Sequence, residues 1–443
     1  MLKRNFILLI LVLSIALAVT LGFLYFREGK PTTPEDEGTG TNFFSQFNPF
    51  GGSGFTQPEP KPPTDVSGYI PSEDAIPTGK LRKISSMPVA GYGIFIKERL
   101  KEIEISPMET LAPAGSTLVK KSAPKTEFAT AVRYAERAKG FIHQTFADKI
   151  EERKFSQTVI PKVYDAYFGN KAESVIMRYI KADERTIETF VGALPEENLG
   201  DTATNNEIRG YFLPNQVKDI SVSPDGSKIF YLFLSGDSGD NMIGTILNLS
   251  NNSKTQIFDS PFTEWLSGWG SANTITLTTK PSGTTPGYAY MLDVARKSLT
   301  KALGGISGLS TLPSPNGKLI LYSDGNPSLF IHRADTQASL ALGIKTLPEK
   351  CVWGKVSDTI YCAVPKFIGF GSYPDSWYQG EASFDDQIWK IDVKTGNASI
   401  VLDIGKETGG QEIDSIKLGI DEGENYLFFV NKKDSFLWRL DLK

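Results

Sequence analysis

Histidine and cysteine, the side chains most often used for acid–base, nucleophilic and metal chemistry, are scarce in this 443-residue chain. There are two histidines, His143 and His332, and two cysteines, Cys351 and Cys362. Each histidine stands in an apolar stretch, "FIHQTF" or "FIHRAD", where a packed or edge imidazole is expected rather than a base or a metal ligand. No Gly-x-Ser-x-Gly nucleophile elbow occurs. The acidic turn "SGDSGDN" offers Asp237 and Asp240 to a hard cation, but it lacks the length and carboxylate count of a calcium loop. It reads as a solvated turn, and no metal or cofactor is expected. The small-residue run "SGWGS", Ser267 to Ser271, opens no helix and so implies no phosphate cradle.

The cysteines have a different chemistry. "CVWGKVSDTIYC" reads as a hairpin whose turn centres on Val356 and Ser357, and counting outward places Cys351 opposite Cys362. Facing residues of a non-hydrogen-bonded pair bring their Cβ atoms within about 4.5–5.5 Å, which local twist can close to a disulfide. A disulfide is therefore expected, and it suits an oxidising compartment.

The elements that carry these residues come from a repeat. In "ISVSPDGSKIFYLFL", Ile220 to Leu234, a Pro-Asp-Gly turn separates two runs rich in Val, Ile, Phe and Tyr, the pattern of two antiparallel strands. "GLSTLPSPNGKLILYS", Gly308 to Ser323, repeats the arrangement with Asn316 in place of the aspartate. Aligning the strand after each turn gives seven apolar strands, beginning at Ala131, Ser174, Lys228, Thr274, Lys318, Thr359 and Tyr426. Most follow one another at the spacing of a four-stranded propeller blade. Read as the inner strands, they predict an all-β, seven-bladed propeller over residues 78–443. The last unit has residues for three strands only. "TGKLRKISS", Thr78 to Ser86, matches an outer strand and is expected to complete that blade and close the ring.

On these motifs the chain resembles the PD40, or TolB-like, branch of WD40-like β-propellers, and uncharacterised membrane-anchored propeller proteins of bacteria. The likeness runs from Gly79 to Lys443, although the Trp-Asp dipeptide of WD40 repeats is absent. It implies a fold and a binding surface, and it implies no reaction.

The N-terminus sets the expected location. Residues 1–5 carry Lys3 and Arg4, and an uncharged, mostly apolar run from Phe6 to Phe26 is long enough to cross a bilayer. The reading is one transmembrane helix over 6–26, with the N-terminus cytoplasmic and the propeller extracytoplasmic at the plasma (inner) membrane. Ala16-Leu17-Ala18 resembles a signal-peptide cleavage site, but the apolar run continues past it to Tyr25-Phe26. Residues 27–77, rich in Pro, Gly and Thr, read as a flexible linker spanning roughly 40 Å. Within it, Phe43, Phe44, Phe47, Phe50 and Phe55 suggest either a docking motif or a segment lying on the protein's own body. A formal charge of −4 and the lack of a long basic tract argue against nucleic acid.

Two insertions break the blade rhythm: Lys97 to Glu127 in the first unit and Phe367 to Asp386 in the sixth. The second gathers Phe367, Phe370, Tyr373, Trp377 and Tyr378 on the face where partners dock on propellers. Loop aromatics are enriched in interface hot spots. Phe367 and Phe370 are expected to pack on the blade. Trp377 and Tyr378, held out by the turn-forming Pro374-Asp375-Ser376, are expected with Tyr373 to bind. The function so read is a non-catalytic binding or scaffolding module of the cell envelope, with a protein or glycan partner. An enzyme using carboxylates gathered in the propeller channel is the alternative.

Overall fold

A strand buried on both faces needs no polar alternation, and the seven aligned segments show this. Leu319–Ser323 is buried at all five positions, and Ser174–Ile180 is buried over its first five. Such strands form only inside a stack of sheets. In the computed structural model, which describes residues 79–101, 125–200, 206–236 and 239–443, they lie in seven antiparallel sheets of four strands each. The fold is a seven-bladed β-propeller.

Within a blade the strands run A to D from the channel outward. Blades 1 to 7 begin at Val89, Val163, Val217, Trp265, Ser310, Cys351 and Ser415. The aligned apolar strands, read as inner strands, are strand B of each blade, the second from the channel. Strand A lines the channel and is mixed in character. Val217–Val222 and Ser415–Ile420 alternate irregularly between buried and half-exposed residues, so no continuous apolar run marks them.

The core is divided between neighbouring blades. Leu321, Ile331, Trp353 and Ile360 join blades 5 and 6, Ala363, Ile388, Leu427 and Phe429 join blades 6 and 7, and Val132, Tyr134, Phe428 and Leu437 join blades 7 and 1. Ring closure is as expected. Leu81–Lys83 pairs antiparallel with the last strand, Leu437–Asp441, as the outermost strand of blade 7.

The repeated turns owe their shape to the residues that flagged them. Gly226 and Gly317 take φ of 71° and 69°. Ser223 Oγ donates to Asp225 and accepts from the Lys228 amide, and Ser314 does the same with Asn316 and Leu319.

Cys351 and Cys362 are direct partners across strands A and B of blade 6, with Cα atoms 4.0 Å apart, and are joined by a disulfide. Both are buried. Unfolded, non-reduced protein is expected to show no titratable thiol. Reduction should cost no more than about 3 kcal/mol, because the closed loop is short. A free thiol found before reduction would remove the bond.

The first insertion is shorter than expected at both ends: Val89–Leu100 and Thr126–Glu136 are paired strands out to Leu100 and Thr126. The expected span 6–26, the linker, its phenylalanines and residues 102–124 lie outside the described residues. Among the described residues, no helix is long and apolar enough to cross a membrane.

Candidate functional site

One face of the propeller carries the links between blades and the loops joining strand B to strand C. The sixth-blade insertion lies on it, between strands Thr359–Pro365 and Asp386–Asp392. It does not stand away from the blades. Asp375 accepts from the Gly283 amide of blade 4. A Cβ on Gly308, just before blade 5, would lie 2.7 Å from the carbonyl oxygen of Tyr373, so the insertion approaches the backbone closely there. At its far end Lys432, from the B–C loop of blade 7, donates to the carbonyl of Trp377. The insertion therefore spans from blade 4 to blade 7.

A small core holds it there: Leu347, Tyr373, Trp377 and Phe384 are buried together. Pro374-Asp375-Ser376 opens a one-turn helix, Asp375–Tyr378, that turns the indole inward. Trp377 is 4 % exposed. Its Nε1 donates to Asp414 Oδ2 at 2.9 Å, its ring stacks on Phe384, and the ammonium groups of Lys432 and Lys350 lie 4.3 and 5.3 Å from the ring centroid. Tyr373 is buried as well. The expectation that Trp377 projects is corrected, because the helical turn after Pro374 directs it to the core, and Tyr373, expected to bind, is packed in that same core. Tyr378 keeps 39 % exposure, with its hydroxyl donating to Glu349.

The rings expected to pack are the ones left outside. Phe367 is 78 % exposed and Phe370 wholly so. They flank Gly369 and, with Pro327 and Lys345 of blade 5, line an open cavity of about 560 Å³. Ile368, between them, is the side chain that turns inward and packs on the insertion's core, which leaves the rings on either side of it to solvent.

Beneath the insertion, three ionisable side chains are wholly buried. Lys350 ends the short 3₁₀ turn Pro348–Lys350 between blades 5 and 6. Its Nζ donates to Asp386 Oδ2 at 2.8 Å, to Asp414 Oδ1, and to the Ser415 carbonyl at 3.0 Å. Every ammonium proton is used. Asp414 Oδ2 takes the Trp377 indole and the Phe384 amide, so this carboxylate ties the insertion to blade 7. Burial raises the Asp386 carboxyl to about 6, with neighbouring Asp414 adding to the effect and Lys350 opposing it.

Further into the channel, Asp219 and Glu349 line one cavity of about 160 Å³ with Ser267, Ser310 and Thr311. Each keeps some open surface, yet burial raises both carboxyls. Asp219 accepts from the amide and hydroxyl of Ser267, and Glu349 from Ser310 and Tyr378. Asp165, on strand A of blade 2, pairs with Lys417 of blade 7, whose ammonium also donates to the Ala90 carbonyl of the blade between them.

No family model matches the chain, and comparison with curated proteins finds no match. Solved structures do match it in shape. An oligogalacturonate lyase in complex with manganese is 11% identical over 71% of this chain and 85% of its own, with a TM-score of 0.46. The oligogalacturonate lyase of Vibrio parahaemolyticus is 9% identical over 71% and 86%, at 0.45, and TolB of Acinetobacter baumannii 10% identical over 71% and 76%, at 0.39. The fold stands on the seven sheets themselves.

The remaining sequence candidates are packed or solvated. His143 is buried in the sheet of blade 1 and stacked on Tyr134. His332 is buried in blade 5, and burial lowers its pKa. Both lie on strand C of their blades. Asp240 is exposed, Asp237 lies outside the described residues, and the described residues hold no metal-binding group of three or more ligands. "SGWGS" is part of a strand, Trp265–Ser271. The buried Lys350 cluster and the Asp219–Glu349 cavity had no signal in the sequence, because Lys350 lies 36 and 64 residues from its two aspartates, and Asp219 lies far from Glu349 along the chain.

Proposed function

We propose that this chain is a single-pass membrane protein, N-terminus cytoplasmic, whose propeller acts as a non-catalytic binding or scaffolding module in the cell envelope. The observation that carries the binding reading is the pair of exposed rings, Phe367 and Phe370, beside an open cavity on the face spanned by the insertion. Large apolar side chains left bare beside a concave surface are the usual mark of an interaction site. Tyr378 is the third partly exposed aromatic of the same insertion. The membrane reading rests on the apolar run from Phe6 to Phe26.

Changing Phe367 and Phe370 to alanine together is expected to weaken a partner by about 30-fold or more, the effect of losing roughly 2 kcal/mol of hot-spot contact. The melting temperature should not move, because neither ring adds to the core. Quantitative cross-linking in intact envelopes, wild type against the double variant, reads the first effect, and calorimetry reads the second. Unchanged partner capture would remove these rings from the binding surface. Protease digestion of intact cells reports which side of the membrane the propeller occupies.

The second reading, an enzyme using channel carboxylates, is favoured by the two raised carboxyls facing one cavity. Against it, Asp219 and Glu349 are each already held by hydrogen bonds. Glycan turnover abolished by Asp219→Asn would favour this reading over the first.

A further inference from the structure

The Lys350 cluster is unbalanced. One ammonium and two carboxylates are wholly buried together, so full ionisation leaves one negative charge without a counter-ion. An uncompensated buried charge is relieved by taking up a proton. The geometry identifies the atom that takes it. Asp414 uses both oxygens, one toward Lys350 and one toward the insertion. Asp386 Oδ2 accepts from Lys350 and the Ser415 amide, while its Oδ1 is buried without a hydrogen-bond partner, as is the neighbouring Ser415 Oγ.

Of the charges around the cluster, Lys432 acts on Asp414 and Lys350 electrostatically and offsets part of the negative charge at Asp414, but it makes no ion pair with Asp386. Lys432 lies across the indole of Trp377 and donates to that residue's carbonyl, with no carboxylate in ion-pair contact among the described residues. Lys366 is committed to Asp385 and Asp403 on the solvent side. Glu349 turns away from Lys350 toward Tyr378 and Ser310.

Asp386 is also the first residue of strand C, where the insertion rejoins blade 6, and Asp414 holds Trp377 and Phe384 from the other side. We propose that Lys350, Asp386 and Asp414 form a proton-operated latch that grips the sixth-blade insertion when Asp386 is protonated and loosens it when Asp386 ionises. The folded cluster binds this proton more tightly than the undocked one, so the grip is complete at low pH. It is lost as pH rises through the window between about 4, the ordinary carboxyl value, and about 6. That the latch governs partner docking rests on the function proposed above; the latch itself does not.

The test reads the insertion alone, without any partner. Hydrogen exchange of peptides from residues 367–386 in the full chain is followed at pH 5, 6 and 7 and corrected for intrinsic rates. The opening constant is expected to rise about tenfold from pH 5 to 7, as the two titration curves dictate, while strand B of blade 3, Lys228–Ser235, stays unchanged. Asp386→Asn should abolish the rise. Glu349→Gln, which removes the carboxylate that accepts from Tyr378 of the insertion, should preserve it. Exchange independent of pH in the wild type, or a rise that Asp386→Asn retains, overturns the proposal. So does a rise lost in Glu349→Gln. If Asp386→Asn did not fold, the wild type still decides, because a uniform rise across the propeller would equally overturn the latch.

Discussion

A chain beginning at Met87 is expected to melt far below one beginning at Gly79, and to aggregate. The segment removed is small, but it joins the last blade to the first. Leu81–Lys83 supplies the fourth strand of blade 7, and the Asp441 amide donates to the Lys80 carbonyl at 2.8 Å. Ile84 is buried between blades 7 and 1, and its amide donates to the Leu437 carbonyl at 2.8 Å. Ser85 Oγ accepts from the Leu437 amide, Arg82 donates to the carbonyl of Ala147, and Ser86 donates to Glu152. Burial of one large aliphatic side chain stabilises by about 1.5–3 kcal/mol, and each hydrogen bond adds about 1 kcal/mol net. The sum exceeds about 5 kcal/mol, the lower end of the whole stability of an ordinary domain. The truncation also bares the edge of Leu437–Asp441 to any passing strand. Scanning calorimetry and size-exclusion chromatography of the two chains check this. Equal melting would show that the ring does not depend on its closing strand.

This closure was legible in the sequence because the strand count and the orphan segment agreed: three strands at one end, one at the other. The blades were legible through strand B, which is walled in by the neighbouring sheets and so stays apolar throughout. Strand A faces the channel on one side and carries Asp165, Asp219 and Lys417, so its pattern reads as neither strand nor loop. The disulfide followed from counting along one hairpin, a local problem. The insertion is the opposite case. Its aromatics were recognised as a group, but which rings face the core depends on contacts with blades 4 and 7 and with Asp414, distant in sequence. Phe367 and Phe370 were read as packed and are exposed; Trp377 and Tyr378 were read as held out, and Trp377 is buried while Tyr378 is partly exposed. Lys350 went unremarked because a lysine in a link between blades is ordinarily solvated, and its burial depends on two aspartates from two different blades.

Replacing Trp377 by alanine is expected to destabilise the protein by about 3–5 kcal/mol, the range for removing a buried aromatic side chain. The indole fills the centre of the insertion's core, against Phe384 and under two ammonium groups, and these contacts are lost together. Asp414 Oδ2 would keep the Phe384 amide at 3.1 Å, so the carboxylate is not orphaned and the cost is chiefly the cavity. Trp377→Phe keeps a ring but loses the indole donor, and should cost clearly less. Adding Tyr378→Ala removes a ring that is partly solvent-facing, and should lower stability little further. The insertion could respond by undocking while the blades stay folded, since its core is separate from the inter-blade clusters. Melting is therefore read alongside limited proteolysis between Phe367 and Asp386. In either response the Trp377→Ala protein is cut faster there than wild type, whereas the Phe367→Ala/Phe370→Ala protein is not. Unchanged melting together with unchanged cleavage would show that Trp377 does not anchor the insertion, and would return it to the candidate binding residues.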